Sequence, residues 1–391
     1  MSTKERSVII DIMKGLLITL VVIGHLPFFE YDSRTLTLIY SFHMPAFVII
    51  GGMLSHIDEK SKLSKILLKR IKSSLVPYFI YYIITFIIIP TTYIQRINAL
   101  QVVIKGIGIP PDAALNLPLW FLTYYFVVMT LFEIIQFLSF KIHKLVASKN
   151  IKSDFSDHLI DIITFIFIAI IMFISYKYAR VYKLKRLPYN VEIAGFSLGF
   201  VFIGNLTQKY LIGLIKKINF KNIINIIISI FVILIILVLW YKLSMKNGRI
   251  DLNARDYKNA FLMYVNATLG FILLSFFSYV LNILPNIKFL TLNTITQNIL
   301  RYASTIFNYI NNLFSFLGKN SIHILAFHIP STYYRNAYII PFLPQNIQQM
   351  LFHNSIISIL LLTTYGIAFS IILSIIIKNI YKYIYSHIKK N

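Results

Sequence analysis

Cysteine is absent from all 391 residues, which excludes disulfides, thiol nucleophiles, an acyl-cysteine intermediate and cysteine-ligated metals. Charge is scarce as well, at 13% of residues, and most of it has one sign: 38 Lys and Arg stand against 14 Asp and Glu. The nine histidines form no His-x-x-x-His pair with a nearby carboxylate and the aspartates do not cluster, so no metal is expected. No glycine-rich phosphate loop appears, and nucleotide hydrolysis is not expected. Alternating barrel strands are not seen.

What is present is apolar. The chain is 57% hydrophobic with a mean hydropathy of +0.72, beyond the roughly 45–50% apolar usage of soluble domains. Runs such as "IINIIISIFVILIILVLWY", Ile223 to Tyr241, suit helices crossing a hydrocarbon core of about 30 Å. The expected fold is therefore all-α, a polytopic membrane helical bundle. The apolar runs predict about ten spans, near 7–28, 37–55, 75–93, 119–139, 158–176, 191–208, 223–242, 260–283, 319–339 and 355–377. Residues 1–391 are read as a single membrane domain with no separate soluble domain and no fixed-period repeat. The stretch 284–318 is expected as an inner loop with one amphipathic or half-inserted helix.

A net charge of +24 would also suit nucleic acid, but the basic residues sit in loops between spans. That placement reads as cytoplasmic retention and contact with anionic lipid, with no nucleic-acid partner. With the N-terminus inside, the loop 56–74 is inside too and carries Lys60, Lys62, Lys65, Lys69, Arg70 and Lys72. The C-terminal tail with Lys378, Lys382, Lys389 and Lys390 is then also inside. One loop disobeys: Lys177, Arg180, Lys183, Lys185 and Arg186 fall outside. Either a span is miscounted there, or the outer face offers a positive patch to an anionic glycan or lipid phosphate. Lys4 and Arg6 before the first apolar stretch resemble a signal peptide, but "HLPFFEYD" stands where small cleavage-site residues are needed, so the segment is expected as an uncleaved first span.

Within that span Lys14 and His25 are eleven residues apart, three helical turns with a phase error of about 20°, so they share a face about 16 Å apart along the axis. Asp11 lies one turn before Lys14. Ionisable groups in hydrocarbon cost several kcal/mol unless they face a cavity or partner, which turns this stripe into the bundle. The plainer alternative pairs Lys14 with Asp11 and leaves His25 at headgroup depth. "SFHMP" places His43 at the outer start of the second span and "LAFHIP" places His328 in the ninth, and imidazole is the side chain that accepts and returns a proton near neutral pH. Trp120 reads as an interfacial anchor or a sugar-stacking platform. Asn320 and Ser321 read as caps of the ninth helix.

"RSVIIDIMKGLLITLVVIGH" resembles the opening of the integral-membrane acyltransferase family 3, in its fucose 4-O-acetylase-like branch, where a basic residue precedes a histidine by eleven positions as Lys14 precedes His25. "FHMPAFVIIGGML", "KRIKSSLVPYF", "LWFL" and "LGKNSIHILAFHIP" are similar to later segments of the family, in the same order. Two departures stand out: Gly51-Gly52 replaces a frequent Ser-Gly, and the family's Arg-x-x-Arg pair appears as Lys69 and Lys72 around Arg70. The soluble esterase-like domain that some relatives carry is not expected.

The resemblance implies transfer of an acyl group, usually acetyl, from cytoplasmic acetyl-CoA to a hydroxyl of a glycan or other acceptor at the outer face. Lys14, Arg70 and Lys72 would then meet the donor. His25 would act as general base, or as an acyl-carrying nucleophile, with His43 sharing the proton or orienting the acceptor. His328 and Trp120 would line the acceptor side. The rival expectation is a transporter or flippase for a polysaccharide or lipid-linked sugar. The abundance of Ile, Lys and Asn points to an AT-rich bacterial genome and a cell-envelope role, and the expected location is the bacterial plasma membrane.

Overall fold

The computed structural model describes residues 7–30, 33–58, 60–90, 92–107, 115–146, 153–182, 185–213, 223–284, 294–353 and 355–388. No strand occurs among them, and a lone antiparallel bridge joins Asp251 and Asp256. In chain order the helices are α1 (Val8–Gly24), α2 (Arg34–Tyr40), α3 (His43–Leu54), α4 (Leu63–Arg70), α5 (Val76–Ile88), α6 (Tyr93–Lys105), α7 (Trp120–Val146), α8 (Ser153–Val181), α9 (Val191–Phe196) and α10 (Leu198–Leu206). They continue with α11 (Ile223–Asn247), α12 (Ala260–Ile283), α13 (Thr294–Lys319), α14 (Ser321–Tyr338), α15 (Gln345–Phe352) and α16 (Ile356–Ile388). A π-helical turn, Ile71–Leu75, joins α4 to α5, and a second, Thr207–Leu211, follows α10.

Seven helical stretches among the described residues are long and apolar enough to cross a membrane, eight if the pair Pro188–Phe196 and Leu198–Leu211, bent by 53°, is one span. The expected first and ninth spans correspond to α1 and α14. α1 has 17 residues because it stops at Gly24, and α14 carries His323, His328 and Arg335, so both fall short of that measure. Burial separates the remainder. The most apolar 18-residue window of α11 is 0% buried, whereas those of Arg34–Leu54 and Leu117–Leu145 are 72% and 61% buried. One side of α11, through Ser229, Ile233, Ile236 and Trp240, is half-buried and the rest is exposed, so a helix apolar on every side has lipid as the partner of most of its surface.

The described residues form two compact units. The first takes the chain up to His43, then Ile233–Arg249, then everything from Phe261 onward; the second takes Met44–Val232 and Ile250–Ala260.

In the first unit α1 lies against α13, with glycines on both sides. A side chain at Gly15 would overlap the Phe314 carbonyl, and one at Gly318 would overlap the Asp11 carbonyl. The helices thus meet backbone to backbone, as small residues allow in membranes. The other side of α13 shows Tyr302, Ile306, Tyr309, Leu313 and Phe316 exposed, the one-sided pattern expected of an amphipathic helix in this region. α14 packs along α16, and α1 touches both. Trp240 of α11 donates from Nε1 to Ser41 Oγ (3.1 Å) and meets Phe42 edge to face.

The second unit is centred on α7, against which α4, α8, α9 and α10 pack. Here too two helices touch through paired glycines: Gly52 of α3 faces the Val201 carbonyl, and Gly204 of α10 faces the Ile49 carbonyl, with no room for a Cβ at either. The expected positive loop before α9 is largely tied down. Arg186 donates to the Asn253 carbonyl (2.6 Å) and Oδ1 (3.4 Å). Arg255 donates to the Lys185 carbonyl (2.9 Å) and lies 3.6 Å from the buried Glu192 carboxylate. Arg180, by contrast, lies exposed beside its Tyr176 ring. Lys183 lies outside the described residues. Tyr189 and Asn190 turn the chain into α9 with left-handed backbone, φ 58° and 57°. Asn190 Nδ2 donates to the Gly106 carbonyl at 2.9 Å, a bond that holds this uncommon conformation.

Candidate active site

The first unit brings the three expected histidines onto the ends and inner faces of its helices, and each is fixed in the same way. His25 closes α1, its backbone no longer helical at φ −107° and ψ 12°, and its Nδ1 lies 2.8 Å from the Val21 carbonyl. His43 Nδ1 lies 2.8 Å from the Ile39 carbonyl and His328 Nδ1 2.9 Å from the Ile324 carbonyl. A carbonyl oxygen only accepts, so in all three rings Nδ1 is the donor. In the neutral ring Nε2 then keeps its lone pair, the form that serves as base, acceptor or nucleophile.

The rings also find one another. His25 and His328 meet edge to face with centroids 5.1 Å apart. His328 is buried, and its Nε2 has no hydrogen-bond partner within the protein. A buried imidazole nitrogen left without a partner is expensive as packing alone, and ordinary for a group that awaits a ligand or proton. His43, also buried, sits edge to face with Tyr40 at 4.8 Å. The Arg249 guanidinium lies over that same Tyr40 ring at 4.2 Å, within cation–π range. His25, His43 and His328 are legible in the sequence, whereas Tyr40 and Arg249 are not. Tyr40 sits three residues before His43, which is its only signal in the sequence.

Lys14 is half-buried on α1 and Asp11 is buried beside it. The helix is continuous from Val8 to Gly24, so the expected common face and the separation of about 16 Å from Lys14 to His25 follow from its geometry. Asn320 occupies the cap position of α14, but its side chain makes no cap bond. Its Nδ2 donates backward to the Phe316 carbonyl at 2.9 Å, which corrects the capping expectation: the amide closes the end of α13.

The remaining expected residues lie in the second unit. Arg70 is buried and committed to Glu133: its Nε donates to Glu133 Oε2 at 2.8 Å and its Nη2 to Oε1, which also accepts from Ser55 Oγ at 3.2 Å. That fork ties the end of α4 to α7. Lys69, 57% exposed, reaches the same carboxylate only at 3.8 Å, and Lys72 is exposed on the π-helical turn. The accessible cations of this basic run are thus its lysines. Trp120 is only 7% exposed, packed against Tyr124 and Phe121, so its ring is not turned to a lipid boundary as an anchor would be. Glu133 is a residue that sequence reading missed, although a lone carboxylate inside "VVMTLFEIIQFL" is a visible signal, since such groups are kept in apolar segments only with a partner.

These features define a polytopic α-helical membrane protein with a cluster of back-bonded histidines. The chain belongs to acyltransferase family 3: the model of that family, described as an acyltransferase domain, matches residues 8–377 and so runs through both units. The protein is therefore a membrane acyltransferase, and family membership decides against transport without acyl transfer. No curated protein and no solved structure matches the chain.

Proposed function

We propose that the chain transfers an acetyl group from cytoplasmic acetyl-CoA to a hydroxyl of an extracytoplasmic or lipid-linked glycan, as in the fucose 4-O-acetylase-like branch, in a bacterial plasma membrane. The observation that carries this reading is His25, with Nδ1 held by the Val21 carbonyl and its ring against the buried His328. Nε2 of His25 takes the proton from the acceptor hydroxyl as its oxygen attacks the thioester carbon. A C–O bond forms, the C–S bond breaks, and the proton passes to the departing CoA thiolate. The energy comes from the thioester.

The donor's phosphates stay on the cytoplasmic side. Lys14, about three turns below His25 on one face, suits the path of a pantetheine arm of similar length. Lys72 is proposed to meet the phosphates, and Arg70 to act through Glu133 by holding the lysine-bearing turn in place. His43, through Tyr40, is proposed to orient the acceptor.

The test is transfer of label from acetyl-CoA to a panel of cell-envelope glycans by protein purified into nanodiscs. Label on a glycan with wild type, and its loss in folded His25→Ala, is the expected result. Full transfer by His25→Ala overturns the assignment.

A further inference from the structure

No aspartate or glutamate follows Asp256 in the sequence, yet a buried arginine stands in that carboxylate-free stretch. Arg335, in the last turn of α14, is 4% exposed. Its Nε donates to Asn336 Oδ1 at 3.1 Å, while its Nη2 is buried with no acceptor. Of the acidic residues described in the first unit, Asp11 lies at the opposite end of the α1 stripe from His25 and Glu30 is exposed. A guanidinium remains charged in any protein setting, and a buried charge without an opposite one is among the most expensive features a fold can carry. A protein that keeps one has an anion to bring to it.

Its surroundings are polar and lie beside the histidines. Ser331 sits one turn before Arg335 and His328 two turns before it on α14, all three buried. Gly366 of α16 comes close to Ser331 Oγ and to Val22 of α1, so α1, α14 and α16 converge at this level. His323 is in electrostatic contact with Lys378 and Arg335 with Tyr365, which sets α14 and α16 antiparallel. In that register Thr363, whose buried hydroxyl also has no hydrogen-bond partner, lies within a turn of Arg335. His328 Nε2, Arg335 Nη2 and Thr363 Oγ1 are thus three buried polar atoms without partners on two adjoining helices.

We propose that Arg335 binds an anionic group of the acceptor, a phosphate or a uronate carboxylate on the saccharide, about two helical turns from His328. This names the acceptor class for the acyl-transfer reading above and rests on it. An Arg fork pairs both anions in bidentate fashion.

Binding can be measured without acyl transfer. Glucose, glucuronate and glucose 1-phosphate are titrated into the full chain in nanodiscs of neutral lipid. Both charged sugars are expected to bind at least about tenfold more tightly than glucose, and R335Q to abolish the difference. Which charged sugar is preferred tells phosphate from carboxylate. No binding by wild type, or the same charge preference in R335Q, overturns the proposal. Should R335Q fail to fold, R335K keeps charge without the fork. It is expected to weaken both charged sugars severalfold and leave glucose unchanged, and unchanged affinity for the charged sugars overturns the proposal. Nanodiscs containing phosphatidylglycerol provide the remaining arm: loss of sugar binding there, together with lipid retained by wild type and released by R335Q, makes a lipid headgroup the occupant and overturns the acceptor assignment. Acetyl-CoA turnover with glycans fails or succeeds separately, so the two readings fall independently.

Discussion

His25 and His328 stand edge to face with ring centroids 5.1 Å apart, each with Nδ1 held by the carbonyl four residues earlier in its own helix. Two rings pinned at Nδ1 keep Nε2 as the nitrogen able to meet a ligand, and the proposed role is that both act on the same proton or substrate.

The first prediction follows from that pairing. His25→Ala is expected to lower kcat for labelled acetyl transfer by about 10²–10⁴, the usual contribution of a positioned general base. His328→Ala should lower it less. If the rings act as one unit, the double variant falls no further than His25→Ala alone, since effects within such a unit do not add. Multiplicative losses would show that they act separately.

A second prediction concerns the paired glycines of α3 and α10. Gly52→Ala and Gly204→Ala each place a methyl on the facing backbone carbonyl, of Val201 and Ile49 respectively, and backbone cannot step aside as a side chain can. Each is expected to destabilise by about 1–3 kcal/mol, read as a lower Tm in detergent. The double variant should lose less than the sum, because the first methyl already separates the helices. Gly51→Ala meets only the ends of flexible side chains, Tyr125 Oη at 2.6 Å and Met129 Sδ at 2.9 Å, and should be milder. The departure from Ser-Gly at this point of the sequence therefore sits at the tolerant glycine and spares the intolerant one.

Arg70 and Glu133 supply a third. Removing either partner strands a buried charge, and Arg70→Gln or Glu133→Gln is expected to cost about 3–5 kcal/mol, whereas Arg70→Met with Glu133→Leu recovers much of that loss. Lys69→Gln, whose amine is largely exposed, should change Tm little. Chemical unfolding of the four variants in one detergent checks the order. A single substitution at Arg70 as mild as Lys69→Gln would show that the guanidinium is not locked to Glu133.

Much of this was legible because a membrane chain advertises its polar exceptions. His25, His43 and His328 stand out in the sequence since each interrupts an apolar run, and the structure finds them buried or half-buried in one unit. Glu133 and Arg335 carry the same signal and were passed over because no family motif pointed to them. Other features depend on contacts that periodicity does not encode. The expected span 191–208 bends by 53° because Ser197 interrupts it. α1 ends at Gly24 rather than continuing to the expected residue 28, because Pro27 has no N–H to donate and disfavours helical backbone at Leu26 before it. The Gly15–Phe314 and Gly52–Val201 contacts join residues far apart in the chain, and neither the glycines nor their spacing names the partner. The histidine tautomers were likewise hidden, since Nδ1 finds its carbonyl only once the helix exists.

The last prediction uses the basic loop that broke the positive-inside pattern. Arg255, in left-handed backbone at φ 60°, donates from Nη1 to the Lys185 and Tyr182 carbonyls at 2.9 and 3.3 Å and pairs with buried Glu192. One side chain thus holds Tyr182, the segment from Lys185 and the start of α9. In Arg255→Ala these acceptors lose their donor, and the segment should open enough for trypsin to cut after Lys185 and Arg186, identified by peptide mass. Arg180→Ala removes an exposed charge that donates only to Tyr176 Oη on its own helix and should leave that cleavage slow. Arg255→Lys keeps the charge but cannot reach two carbonyls and a carboxylate together, so it should resemble Arg255→Ala. Adding the protease to intact spheroplasts and to inverted vesicles then tells which face bears the loop. Cleavage from the spheroplast exterior supports an outer positive patch, and cleavage only in inverted vesicles means that a span was miscounted before it.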